Sequence, residues 1–373
     1  MKPAAIDQCV EILRCPITGQ TLSILTPDEL AGINRLLEAR AKLHRDGSPA
    51  RTPLTAALGT PSRGEIYRIE ESIVWLLSDL ALVDAGAVQA AAITAERKVV
   101  QSFYDEYGWV KTDGGLFNDT AMFTDPRAFA RDYVTCCNHR IGRELPGGRY
   151  LLDVASGPIP HAEYLGFSRH YDIRICVDFS IRALREARAK LGDNAGLYVL
   201  GDITKLPLAS DAIDDVISLH TIYHVPRAEQ TTAVNELVRV TKRGGRVVIV
   251  YVWGKSVAMH LYFGLRGTLG RIKRALQGNQ PPMKPWQPDP SLPSLYFSPQ
   301  DHDWFVRDIE ARYPVRLKVW SAVSTAFLGR FFSDRGLGRL TLTTVKWLEN
   351  RFPRLAGRYG QYPMFVIEKP AAR

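Results

Sequence analysis

The chain has 373 residues, 46% hydrophobic and 23% charged, with a formal net charge of +9. That length suits two units, and the composition is that of an ordinary globular protein, which excludes a disordered or fibrous one. No apolar run reaches the ~18 residues a membrane span needs, and the first residues lack the apolar core of a secretory leader; the cytoplasm is the expected compartment.

The arginines are spread along the chain with no run of five or more basic residues, which favours a solvated basic surface over a nucleic-acid footprint. Five cysteines, Cys9, Cys15, Cys136, Cys137 and Cys176, suggest no disulfide framework. No two of them stand as Cys-x-x-Cys, which weighs against a closed tetrahedral zinc site.

Residues 1–85 read as a small β-rich module. A segment ending at Cys15-Pro16 turns at Thr18-Gly19 into an alternating strand with Leu22 and Ile24. From Gly64 a strand, a polar turn at Glu70-Glu71 and a second strand ending in Leu76-Leu77 form a hairpin, with a helical and loop insert at 27–62 in between. On Cys15-Pro16 and "YRIEESIVWLL", this module resembles the zinc-ribbon-like domain found as a methyltransferase activator subunit or fused in front of methyltransferases. The family's second cysteine is replaced by Thr18, so metal binding is not carried over. The implied role is to hold a partner or to shape the substrate entrance.

Residues 86–149 are expected to be mainly helical. Val99, Val100, Phe103, Tyr104 and Tyr107 recur at helical spacing, and the pattern ends at Gly108. A second amphipathic helix over 125–145 stops at Pro146-Gly147-Gly148.

From 150 to 253 strand and helix alternate. Strands are expected at 150–155, 174–180, 196–203, 212–220 and 246–253, with helices from 181 and from 227. Apolar runs separated by helices indicate a parallel sheet covered on both faces. The rest is a helical lid insert at about 254–312, whose last helix Ser298 would cap with Asp301, then a strand at 316–323, a helix at 337–352 and a closing strand at 362–370. The expected fold class is α/β, a doubly wound, Rossmann-like seven-stranded sheet with an antiparallel last strand, plus the small N-terminal β-rich domain; residues 86–373 form the larger unit.

Ligands of open α/β sheets bind beyond the carboxyl ends of the strands. The first strand ends in Asp153-Val154-Ala155-Ser156-Gly157-Pro158, a small-residue turn that lets a ligand approach the backbone. Prolines around Ile159 offer no N–H to a pyrophosphate, which disfavours a dinucleotide. Asp178 ends the second strand, about twenty residues after the glycine turn, where a carboxylate can accept both hydroxyls of a ribose. Asp202 and Ile203 follow the third strand, where an acid can accept an exocyclic amine and an apolar side chain can pack on a purine. Each such acid alone is as readily a helix cap.

Together "LLDVASGP", "CVDFS", "VLGDITKLPLASDAIDDVISLHTIYHV" and "ELVRVTKRGGRVVIV" resemble class I S-adenosylmethionine-dependent methyltransferases, in the group of the quinone-biosynthesis C-methyltransferases. The resemblance covers roughly 99–253 and the closing strands. It implies S-adenosylmethionine as cofactor, with Asp153, Ala155 and Gly157 beside its methionine part, Asp178 on the ribose, Asp202 and Ile203 on the adenine, and Ser218, Leu219 and His220 near the methyl group. The family usually has glycine where Ala155 and Ile159 stand. Catalytic candidates are His220 as a base and Tyr223 as its rival, a donor to substrate; His224 reads more readily as packing and His161 as a surface residue.

The implied acceptor is a small molecule, a glycan or a lipid-linked metabolite. Basic and apolar residues at 259–277 (Arg266, Arg271, Lys273 and Arg274 beside Leu261 and Phe263) suit a lid or a peripheral membrane contact. Two other functions are open: a non-catalytic ligand-binding protein on the same fold, and an RNA methyltransferase.

Overall fold

The computed structural model describes residues 5–89, 94–254, 256, 295–324, 327–329 and 337–371. Its frame is a sheet of thirteen strands. Six come from the first 85 residues: β1 (Ser23–Ile24), β2 (Lys42–His44), β3 (Ala57–Gly59), β4 (Ile66–Glu70), β5 (Ile73–Trp75) and β6 (Leu82–Asp84). Seven follow: β7 (Gly148–Val154), β8 (Tyr171–Asp178), β9 (Gly196–Leu200), β10 (Ile213–Leu219), β11 (Thr241–Val250), β12 (Val315–Ser321) and β13 (Tyr362–Glu368).

The spatial order is β1-β3-β4-β5-β9-β8-β7-β10-β11-β13-β12, with β2 and β6 paired beside β4. Strands β9, β8, β7, β10 and β11 run parallel. Strand β13 is antiparallel to both β11 and β12. The order reverses between β7 and β10, the point where such sheets bind ligands.

Alternation along the strands supplies two cores. Leu152, Val154, Ile175, Val177, Val247 and Ile249 feed one face, and Leu151, Cys176, Ile217, Val248 and Val250 the other. All are almost fully buried. Two covered faces are why these strands read as continuous apolar runs. Gly245 is required by space, since a Cβ there would lie 2.1 Å from the Asp214 carbonyl oxygen.

The first 85 residues do not build a sheet of their own. Strands β4 and β5 form the expected hairpin, turning at Glu71 and Ser72 with φ of 51° and 58°, the left-handed pair of a primed hairpin turn. Strand β5 then pairs in parallel with β9, Val74 opposite Val199, and Leu76 N–H donates to the Leu200 carbonyl (2.8 Å). Strand β9 would otherwise be an open edge. The seven expected strands are therefore one stretch of a larger sheet. Cys15 Sγ lies 3.1 Å from the Tyr67 hydroxyl, which joins the two halves of the module.

Seven helices matter here. Helix α1 (Pro27–Glu38) begins in a Thr26/Glu29 capping box. Helix α2 (Ala95–Phe103) widens into a π turn over Tyr104–Gly108. Helices α3 (Ala128–Gly142), α4 (Ile181–Leu191) and α5 (Gln230–Val240) flank the sheet. Helices α6 (Leu337–Arg351) and α7 (Pro353–Tyr359) precede β13.

The helix expected to be capped by Ser298 is capped instead by Asp301, whose carboxylate accepts from Trp304 N–H (3.2 Å); Ser298 N–H donates to the Tyr223 carbonyl. Of the lid expected at about 254–312, residues 255 and 257–294 lie outside the described residues, the basic stretch 259–277 among them. No helix of the described residues is long and apolar enough to cross a membrane.

Candidate functional site

The loop after β7 keeps a glycine-loop backbone without the glycines. Ala155, Gly157 and Ile159 all have left-handed φ, at 55°, 54° and 52°. For alanine, and more so for β-branched isoleucine, that conformation costs energy and needs support. Ala155 N–H donates to the Val177 carbonyl (2.6 Å). The Ile159 side chain is 1% exposed and packs in the core cluster with Phe129, Tyr133, Tyr164 and Phe167.

The three strand-end acids have different surroundings. Asp153 is buried, and its Oδ2 accepts from both Nε (3.1 Å) and Nη2 (2.5 Å) of the fully buried Arg174. Arg174 is further held by the Tyr164 carbonyl (2.6 Å). Burial pushes the Asp153 carboxyl up and the guanidinium draws it back. The pair links the neighbouring strands β7 and β8.

Among the described residues, Asp178 meets only N–H donors of the backbone. Its Oδ2 accepts from Gly157 and its Oδ1 from Ser180, both at 2.8 Å. The cap of α4 is Ser180, whose Oγ accepts from Ala183 N–H (3.2 Å), so Asp178 is free of that duty. Burial raises its pKa to about 6, with Asp105 adding to the rise. Each oxygen keeps a second lone-pair direction, which suits the two hydroxyls of a ribose.

Asp202 is claimed by a cation the sequence reading missed. Arg97, in the first turn of α2, donates to its Oδ2 (2.6 Å), to Thr204 Oγ1 (2.8 Å) and to Glu229. The other Asp202 oxygen accepts from Thr204 N–H and Oγ1, both at 2.8 Å. A cleft of about 260 Å³ opens here, lined by Arg97, Phe179, Asp202 and Lys205 and by Leu76 and Asp79 of the module. Ile203 packs half-buried at the margin of the core.

Aromatic rings cover the loop. Trp109 stacks on Tyr104 (5.0 Å, 16°), and a Cβ on Gly157 would stand 2.9 Å from the Trp109 ring. Burial and the carboxylates of Asp119 and Asp178 push the Tyr104 hydroxyl up. Burial also lifts Asp119, to about 6.

Beyond β10 the acceptor side is built from histidines and tyrosines. Leu219 is half-buried against the core, and His220 follows it with φ of 60°, a strained conformation for histidine. The His220 ring lies 4.4 Å from Trp320 and 5.6 Å from Tyr362. Burial, with His161 and His224 nearby, lowers its pKa to about 3. His224 Nδ1 is 2.8 Å from the Tyr296 carbonyl, which fixes that nitrogen as the donor and leaves Nε2 as an acceptor. Burial lowers its pKa to about 4.

Tyr223 is buried, packed edge-on to Tyr251 and Phe297 and tilted against His224. Burial and the neighbouring Tyr362, Tyr104, Asp119 and Tyr164 raise its hydroxyl. His161 is half-buried: its ring packs edge-on against Tyr164 (5.0 Å), and burial lowers its pKa. The Ser218 hydroxyl is buried with no hydrogen-bond partner among the described residues.

Tyr164 and His161 stand a few residues after the loop and were within reach of sequence reading. Trp320 and Tyr362 were not, because the antiparallel pair β12 and β13 delivers them from a hundred residues or more further along the chain. The residues at the strand ends fit an adenosine: a buried carboxylate at Asp178 with room to accept a diol and an apolar side chain at Ile203.

The sequence profile of the family described as Methyltransferase domain matches residues 152–249. An uncharacterized methyltransferase of Mycobacterium leprae is 38% identical over 131 residues, 35% of this chain and 47% of its own. One from Mycobacterium bovis is 35% identical over 153 residues, 38% of this chain and 59% of its own. The chain thus spans about half the length of the curated relatives it matches. Among solved structures, phosphoethanolamine N-methyltransferase 1 of Haemonchus contortus, with phosphoethanolamine and S-adenosylhomocysteine, overlays at a TM-score of 0.46 and 12% identity, over 75% of this chain and 50% of its own. The matched residues run from within β7 to near the end of β11 and include the loop and the three strand-end acids.

Proposed function

We propose that this chain is a class I S-adenosylmethionine-dependent methyltransferase acting on a small-molecule or lipid-linked acceptor. The observation that carries the reading is Asp178, a buried carboxylate held only by backbone N–H groups beside the Gly157 loop, inside a methyltransferase domain. When bound, the cofactor supplies an electrophilic methyl carbon. Asp178 would hold the ribose, Ala155 and Gly157 the amino-acid part, Ile203 the adenine plane, with Asp202 shared between the adenine amine and Arg97. Asp153 supports the loop through Arg174.

The remaining chemistry is alignment and exclusion of water. His220 and Tyr223 flank the acceptor side, and Tyr104 and Trp109 cover the cofactor side. At neutral pH the histidines are uncharged, since burial lowers all three. A neutral imidazole of such low basicity accepts a hydrogen bond well and takes up a proton weakly. The site therefore suits an uncharged acceptor whose nucleophile needs orientation and modest help in losing its proton. Residues 1–85 act in this reading as a metal-free module that closes the β9 edge and walls the adenine end of the cleft through Leu76 and Asp79.

Calorimetry with S-adenosylhomocysteine tests the reading at its base; no binding leaves a ligand-binding relative of the fold as the better account. With labelled cofactor and cell extract as acceptor source, His220→Ala is expected to lower turnover about a hundredfold with affinity for S-adenosylhomocysteine within about twofold. An unchanged rate removes His220 from the chemistry and leaves Tyr223.

A further inference from the structure

Helices α6 and α7 carry an apolar face that is exposed among the described residues. Along α6, Leu342 and Val345 turn inward with Glu349, while Leu340, Trp347 and Leu348 share the opposite face at spacings of seven and eight. Their exposure is high for such side chains: 63% for Leu340 and 59% for Trp347. Leu355 and Tyr359 of α7, four apart, continue the face, with Leu355 56% exposed. Phe352 joins the two helices, its ring 6.5 Å from Trp347.

The charge on this pair of helices has one sign. Arg339, Lys346, Arg351, Arg354 and Arg358 are the cations, and Glu349 is the single acid. Glu349 is buried, bonded to Arg140 (2.9 Å), the Tyr133 hydroxyl and Ala322 N–H. Arg354 stands 3.4 Å from Glu310; the other four cations have no carboxylate partner among the described residues. Arg351 and Arg358 lie over the rings of Phe352 and Tyr359, at 5.1 and 5.3 Å, so their stems follow apolar surface while the charges reach outward.

We propose that this helix pair is a docking face for an anionic lipid bilayer. Exposed Trp, Tyr, Phe and Leu ringed by unpaired cations is the chemistry of the acyl–headgroup boundary. A protein partner would have to supply an apolar groove with a wholly acidic rim, whereas an anionic bilayer offers both by its nature.

The face is fixed to the body by the buried Arg140–Glu349 pair and by Trp253, whose indole N–H donates to the Gly357 carbonyl (2.7 Å). It also sits beside the acceptor mouth. Helix α7 ends at Tyr359, three residues before Tyr362, whose ring is 5.6 Å from His220. Arg140 holds the carbonyl of Trp320 (2.7 Å), the other ring on His220. Docking would bring that mouth to the bilayer and favour a lipid-borne acceptor, a consequence that rests on the methyl-transfer reading.

Co-sedimentation of the full chain, without cofactor, with vesicles of phosphatidylcholine plus phosphatidylglycerol tests the docking. The wild type is expected to bind them, to release steeply as salt rises, and to bind phosphatidylcholine vesicles far less. The pairs Trp347→Ser with Leu355→Ser, and Arg351→Glu with Arg358→Glu, should each weaken binding at least about tenfold. Their melting temperatures and S-adenosylhomocysteine affinities should match the wild type. Absence of vesicle binding, variants that bind as the wild type does, or a dimer in sedimentation velocity that the apolar pair dissolves would each overturn the proposal. Vesicle binding without S-adenosylhomocysteine affinity would leave the docking face intact and remove the methyl-transfer reading.

Discussion

Asp178 and Asp202 close neighbouring parallel strands, and the same sequence argument singles out both, yet their surroundings are opposite. Asp178 is buried among backbone N–H groups with no cation in contact, and its pKa is raised to about 6. Asp202 is half-exposed and held by Arg97, which reaches across from a helix a hundred residues earlier. Asp153, one strand further along, is taken by an arginine more completely still. Of the three strand-end acids, two are thus reached by a guanidinium and Asp178 is bonded by backbone N–H groups instead. The position comes from the sequence pattern; the partner comes from packing.

The largest effect that would break this comparison lies at Asp153. Asp153→Ala leaves Arg174 buried without its partner, which costs about 3–5 kcal/mol, read as a lower urea midpoint. A loss near zero would mean that Asp153 does not support the loop and is free to contact the cofactor directly.

Asp178→Ala should weaken S-adenosylhomocysteine binding at least about tenfold, from the loss of charge-assisted bonds worth ~1.5–3 kcal/mol. The pH profile sharpens this. The ionised carboxylate is the better acceptor, so affinity is level above pH 7 and falls as the pH drops through about 6. His220 and His224, lowered to about 3 and 4, stay neutral over that window. Asp119 also titrates near 6, so Asp119→Asn is the control: it should keep the profile that Asp178→Ala abolishes. The same raised pKa acts oppositely on the cofactor-free fold. Its contribution to stability is fully present below about pH 4 and is lost as the pH rises through 6. A flat binding profile would place the ribose elsewhere.

The smallest effect is expected at Arg97. Arg97→Ala frees Asp202 and should change cofactor affinity by no more than about fivefold, with a melting temperature lower by a few degrees, as for a partly exposed ion pair. A loss as large as that of Asp178→Ala, measured by the same calorimetry, would show that Arg97 itself holds the cofactor.

Much of the frame was legible. The apolar runs at 150–155, 196–203 and 212–220 had to be strands, because nothing else buries both faces of so short a segment. The hairpin at 64–77 was legible too, since its polar turn interrupts two alternating runs. Its partner was not. Only the assembled sheet shows that β5 lies on β9, because hydrogen bonding across an edge leaves no periodicity in either strand. Ile159 raised the question of whether the cofactor loop was degenerate. The backbone answers it: the left-handed turn persists, and the isoleucine is carried by the core behind it.

Between 150 and 253 the sequence by itself determined the order of the main strands and helices, the place of the loop and the acids at the strand ends. These follow from local periodicity and from which residues can end a strand. The sequence did not determine strands β2 and β3, within the stretch 27–62 expected to be helix and loop. Tertiary structure alone decided that guanidinium groups reach Asp153 and Asp202 while Asp178 meets backbone N–H groups, that Trp320 and Tyr362 meet His220, and that the module joins the main sheet. Each of those is a contact between residues far apart in the chain, set by how the sheet orders its strands.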